Sequence, residues 1–131
     1  MTIRGDYSTD KDSDIRQQIK EIASRYQLFQ WVECARAIKE FLIARGISGK
    51  QIKVDLEYQD LPWSVIYDLR REQQIATNGH HEGISIVING QEIVFDNIDH
   101  YGVTKEEWWQ NFTSPTVELG RGSFNVTELD F

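Results

Sequence analysis

Cysteine is almost missing from this chain: Cys34 is the only one, beside two prolines and one methionine. A lone thiol excludes an internal disulfide and any metal site built from several cysteines, and leaves Cys34 to pack, to react or to pair with another chain. No apolar run approaches the roughly 18 residues of a membrane helix, so no membrane partner is expected. The opening "MTIRGDYSTDKDSD" lacks the apolar middle of a signal peptide. The expected location is the cytoplasm, or outside the cell through a specialised secretion system that needs no signal peptide. Basic charge is scarce: fourteen Lys and Arg face twenty-one Asp and Glu, a net −7. Nothing clusters enough of it to neutralise a row of phosphates, which argues against nucleic acid as a partner.

What is present suits one folded domain. Forty percent of the residues are apolar and 27% charged, enough for a single core. Residues 1–13 are polar and aperiodic and read as a flexible tail, with the domain spanning 14–131. Ile15, Ile19, Ile22 and Tyr26 mark one face of an amphipathic helix. Trp31, Cys34, Ile38, Phe41 and Leu42 mark another. On one straight helix these stripes would lie about 120° apart, so the helix breaks near "YQLFQW". Cys34 thus falls near the start of a second helix, although no Ser, Thr, Asp or Asn stands there as N-cap. That helix ends at "ARGISG" with Gly46 as terminator. "QIKVDLEY" alternates as a strand, Pro62 follows, and a β-prone run from Trp63 to Tyr67 leads into a polar connection ending in "ATNG". "HHEGISIVINGQEIVFDN" is a hairpin turning at Asn89-Gly90. "TKEEWWQNF" is a short helix with Thr104 as N-cap and Glu107 in the capping-box position. "SFNVTELDF" is a final edge strand. Helices first and antiparallel strands afterwards define an α+β class.

A thiol nucleophile needs a helix N-terminus or cation to favour thiolate, an imidazole to take the proton and a third group to orient that imidazole. Cys34, His81 at the head of the hairpin and Asp96 at the end of its second strand are candidates, because the turn brings residues 81 and 96 to the same open end. Spacing alone favours simple packing for Cys34, since free cysteine is among the most buried residue types. His80 competes with His81. If the strand continues through it, His80 shares a face with Ile84, Ile86 and Ile88, while His81 shares the other with Gly83, Ser85 and Val87. The small residues there leave room for a helix carrying a thiol. Asp96 and Asn97 could equally be turn formers, and His100 reads as a loop residue.

"FQWVECARAIKEFLIARGISGKQI", "NGHHEGISIVINGQEIVFDN" and "IDHYGVTKEEWW", in this order, resemble the papain-fold toxin domain of bacterial polymorphic toxin systems, small stand-alone versions of which are frequent in cyanobacteria. The resemblance covers residues 15 to 112 and lies in the combination of Cys-Ala opening a helix, His-x-Gly-Ile opening a strand and Val-Phe-Asp-Asn closing the next. It implies a papain-like fold, N-terminal helices packed on a small antiparallel sheet, with nucleophile Cys34, base His81 and orienting Asp96. Asn97 is the alternative orienter, since papain itself uses an amide. Gln27 and Gln30 are oxyanion candidates, though neither stands at papain's own offset, and the backbone N–H of Cys34 is a further donor. The implied activity is cysteine-dependent acyl chemistry on a protein substrate, as protease, deamidase or transacylase, without cofactor or metal. The implied partner is an immunity protein that blocks it. The missing N-cap and displaced glutamines motivate the rival reading, a papain-like fold without catalysis that serves as a protein-binding module.

Two features are discounted. Asp10, Asp12, Asp14 and Glu21 match positions of a calcium-binding loop, but Ile15 occupies the position that demands glycine. Trp108-Trp109 reads as a packing pair, Trp109 toward the sheet and Trp108 partly exposed.

Overall fold

The computed structural model describes residues 4–58 and 65–131. Two helices lead, α1 (Arg4–Ala23) and α2 (Trp31–Ala44), followed by β1 (Lys50–Tyr58), β2 (Ile66–Asp68), β3 (Gln73–Ala76), β4 (His80–Ile88) and β5 (Gln91–Phe95). Then come β6 (Val103–Thr104), α3 (Lys105–Gln110), β7 (Phe112–Thr113), α4 (Pro115–Glu118) and β8 (Gly122–Asp130). The main sheet is antiparallel in the order β6-β5-β4-β1-β8, and a small second sheet runs β3-β2-β7. This is an α+β fold of the expected papain-like kind.

Local chemistry explains most boundaries. The expected break separates α1 from α2, and Phe29 within it has a φ of 74°. Gly46 ends α2 with a φ of 70°. Its N–H bonds Ile43 O, and the N–H of Ile47 bonds Leu42 O at 2.9 Å, the paired bonds of a Schellman motif. Asn89 and Gly90 both have positive φ, which a type I′ hairpin requires. Thr104 and Glu107 form the capping box of α3. β8 is the expected edge strand.

Three expectations change. Helix α1 begins at Arg4, so most of the stretch read as a tail is helical; its polar residues carry no apolar period to reveal it. Asp10 to Glu21 therefore stand on a helix, where no cation loop forms. The polar connection before "ATNG" contains β3, and the β-prone run narrows to β2; Pro62, Trp63 and Ser64 lie outside the described residues. Among the described residues no helix is long and apolar enough to cross a membrane.

The main sheet separates two cores. On one face Ile84, Ile86 and Ile88 of β4, with Ile93 and Phe95 of β5, meet Ile19 and Ala23 of α1 and Cys34, Ala35, Ile38 and Leu42 of α2. On the other, Ile52, Val54 and Val94 meet Trp108 of α3. Phe112 and Phe124 join that layer to Ile66, Ile75 and Ala76 of the small sheet. Gly102 lets the chain turn tightly into β6: its φ is 88°, and a Cβ there would lie 2.6 Å from Phe95 Cε2. Gly46 has a similar φ but open space around it. Gly46→Ala should thus cost only the left-handed strain, about 1 kcal/mol. Gly102→Ala adds overpacking and should cost about 2 kcal/mol or more. Urea unfolding of both variants measures the difference.

Candidate active site

The two adjacent histidines of β4 serve different layers, because successive side chains of a strand point to opposite faces. His81 lies opposite Val54 in the ladder and Gly83 opposite Ile52, both on the α3 side. His81 is fully buried, with its ring 6.0 Å from that of Trp108 and 5.5 Å from that of Phe112. Phe95 points into the α2-side core, so Asp96, next along the chain, turns to the α3 side and meets His81. His81 Nε2 lies 2.9 Å from Asp96 Oδ2.

Asp96 is saturated with donors. Besides His81, the indole Nε1–H of Trp108 donates to Oδ2 at 2.7 Å. The backbone N–H groups of Ile98 and Asp99 donate to Oδ1 at 2.8 and 2.5 Å. Burial pushes this carboxyl up, but the His81 hydrogen bond and charge, the Asp99 N–H and the Trp108 N–H outweigh it and hold the pKa down at about 2. An ionised carboxylate only accepts, so the ring proton facing Asp96 sits on Nε2, and in the neutral form of the ring the lone pair is on Nδ1. That Nδ1 is buried and has no hydrogen-bond partner among the described residues.

Cys34 belongs to the other layer. It stands one turn inside α2, fully buried in the α2-side core. Among the described residues no hydrogen bond joins its thiol to the imidazole, although Trp31 at the start of α2 lies edge-on to His81 at 6.4 Å. The room beside Gly83 that was expected to admit the thiol's helix is occupied by Trp108: a Cβ on Gly83 would lie 2.9 Å from its Cζ2. Trp108 is accordingly 1% exposed and Trp109 40%, the reverse of the expected order, because only Trp108 finds both the Gly83 recess and a carboxylate for its N–H. The thiol was also expected to be acidified. Instead burial, with the charge of Asp96 adding to it, pushes the Cys34 pKa up to about 12.

The supporting candidates sort clearly. The Cys34 N–H donates to Gln30 O at 3.0 Å; it is the first N–H inside the helix rather than a free one, and is not available to an oxyanion. Gln30 Oε1 accepts the N–H of Gln27 at 2.7 Å, bracing the turn before α2, and gives α2 no side-chain cap. Asn97 donates through Nδ2 to Gln27 O at 2.9 Å, and its Oδ1 is buried without a partner among the described residues. Asp96, not Asn97, is the residue bonded to His81. His100 is a loop residue with Nε2 2.8 Å from Asn97 O.

His80 has a network of its own on the α2 side. Its Nδ1 bonds Asp55 and its Nε2 lies 2.9 Å from Glu82, with the Trp31 ring 4.7 Å away. Glu82 also accepts from Gln51, which accepts from Lys39. Sequence reasoning missed this network and the Trp108 N–H. Their partners are distant along the chain, and the one local signal was Gly83, a missing side chain that makes room for a large one.

The sequence profile of the family described as papain fold toxin 2 matches residues 14–113. The chain belongs to that family. The match spans the second half of α1, all of α2, the His81–Asp96 pair and α3. No curated protein and no solved structure matches the chain.

Two outcomes follow for this papain-fold domain. A thiol with a pKa of about 12 rather than 9.0 holds about a thousandfold less thiolate at pH 8. Iodoacetamide should therefore modify native Cys34 at least about a hundredfold more slowly than the urea-unfolded chain, as mass spectrometry would show. The Asp96 pKa lies below its ordinary value of 3.8 when folded, so its stabilisation is present above about pH 4 and is lost as pH falls toward about 2. Asp96→Asn should lower the unfolding free energy at neutral pH by on the order of 2 kcal/mol and flatten the acid limb of the stability curve.

Proposed function

We propose that this toxin-family domain is a papain-like cysteine enzyme of acyl transfer, with Cys34 as nucleophile, His81 as base and Asp96 as the group that orients the imidazole. The observation that carries the reading is the buried His81–Asp96 pair with its vacant Nδ1. A buried polar atom without a partner costs about 1–3 kcal/mol, and here it is the nitrogen that Asp96 leaves basic. In the proposed reaction Nδ1 takes the Cys34 proton, and the sulfur attacks an acyl carbon of a protein substrate. The tetrahedral intermediate collapses to a thioester as His81 returns the proton to the leaving group. Water or an amine then releases the acyl group, giving peptide hydrolysis, deamidation or transacylation according to the substrate.

On this reading the structure is a closed state, and catalysis requires the first turn of α2 to bring the thiol out of its core to Nδ1. An immunity protein that blocks the opened site belongs to the same proposal. The second reading, a binding module without catalysis, is favoured by one observation: the sulfur is sealed in an apolar core.

Induced expression in bacteria separates the two. Growth arrest by the wild type, lost in Cys34→Ala and His81→Ala while both variants remain folded, is the expected result, with Asp96→Ala milder because it only orients. Undiminished arrest by Cys34→Ala would remove the thiol from the mechanism.

A further inference from the structure

The Asp96 carboxylate receives two of its hydrogen bonds from its own loop, through the N–H groups of Ile98 and Asp99. Those donors point inward only while residues 96–99 keep their turn, which the Asp96 N–H closes onto Asp99 O at 3.3 Å and the Asp99 side chain ties to the turn between β2 and β3. Both carboxylate oxygens of Asp99 accept from Arg70 Nη2 at 3.1 Å, and Oδ1 also accepts from Arg71 Nη2 at 3.2 Å. The two arginines sit in the turn between β2 and β3, which is itself fixed at both sides. Arg71 donates its N–H and Nη1 to the buried Asp68 carboxylate. The Arg70 N–H goes to Asn111 Oδ1, and the Leu69 N–H to Asn111 O. Asn111 caps α3, the helix whose Trp108 supplies another donor to Asp96. One turn thus ties down both the loop and the helix that surround the carboxylate.

Charge makes the clamp necessary. Asp96 and Asp99 are both buried, three residues apart. Burial and the Asp96 charge push the Asp99 pKa up, and Arg70 and Arg71 pull against them. Without the guanidinium groups, Asp99 must take up a proton or turn outward to water, and in either case the loop loses its anchor.

We infer that Arg70 and Arg71 are positioning residues for the His81–Asp96 pair, acting through Asp99 and the turn it anchors. The inference deepens the proposed function and rests on its assignment of proton transfer to that pair. Neither arginine touches the reacting atoms. Their part is to keep the carboxylate where it selects the Nε2–H form of the imidazole.

The test is nitrogen-edited NMR of the full chain, following the His81 Nε2–H proton. Bonded to a buried carboxylate, it should resonate far downfield and exchange slowly with water. In Arg70→Gln/Arg71→Gln the signal should vanish or exchange at least tenfold faster while urea unfolding stays cooperative. Arg70→Lys/Arg71→Lys should restore it in part by restoring charge. If the double glutamine variant does not fold, Arg70→Gln alone, which keeps the Arg71 bonds to Asp68 and Asp99, should show the accelerated exchange. An unchanged His81 signal in a folded glutamine variant would overturn the inference. Failure of the acyl-transfer reading shows separately, as full growth arrest by Cys34→Ala with the His81 signal intact.

Discussion

A single ionised carboxylate, taken out of water and surrounded by donors, sets the geometry of this domain. Desolvating Asp96 is costly, and the cost is offset only because four hydrogen bonds converge on it from β4, from its own loop and from α3. Each donor fixes an element. The imidazole fixes the start of the hairpin, the indole fixes α3, and the backbone N–H groups fix the loop between β5 and β6. The packing of Trp108 into the recess at Gly83 follows from the same need, since an indole buried that deeply requires an acceptor for its N–H.

The sheet divides the chemistry that the family order brings together in sequence. One layer holds the His81 imidazole, whose Nδ1 has no partner among the described residues; the other holds the thiol, enclosed and pushed up in pKa. The α2-side layer has a second acid-base network, in which His80 bridges Asp55 and Glu82 beneath Trp31. Two neighbouring histidines therefore have distinct surroundings: His81 is apolar on its flanks with one carboxylate at its tip, and His80 is held between carboxylates at both nitrogens. Only the first leaves a nitrogen uncommitted, and on that difference the assignment of His81 rests.

Much of the fold was legible because its signals are local. The Asn89-Gly90 turn, the Thr104 capping box, the Gly46 terminator and the break before Trp31 each depend on residues within one turn of one another. The meeting of His81 with Asp96 was partly legible: continued past Ile84↔Phe95, the hairpin register puts Asp96 opposite Gly83, one diagonal step from His81 on the same face. What failed depends on contacts distant in the chain. Strand alternation placed His81 on the Gly83 face but could not say which helix covers that face, and the answer, α3 rather than α2, reversed the roles of Trp108 and Trp109. The protonated state of Cys34 was misjudged for a related reason. Proximity to a helix start says little once N–H groups are counted, because Cys34 lies just past the last free one. "DLRR" was invisible as a clamp, since Asp99 lies nearly thirty residues downstream.

The two histidines at the head of β4 carry one more implication, for folding. A slip of that strand by a single residue against its neighbours inverts every side chain between the layers. A slip in the direction that carries His80 into the place of His81 would turn His80 toward Trp108 and Asp96, while the isoleucines of the α2-side core would be driven to the opposite face. The misregistered hairpin would still present an imidazole to the carboxylate, so the polar pair offers little discrimination between the two alignments. Fidelity has to come from Ile84, Ile86 and Ile88, and from the tight Asn89-Gly90 reversal that counts residues from the far end.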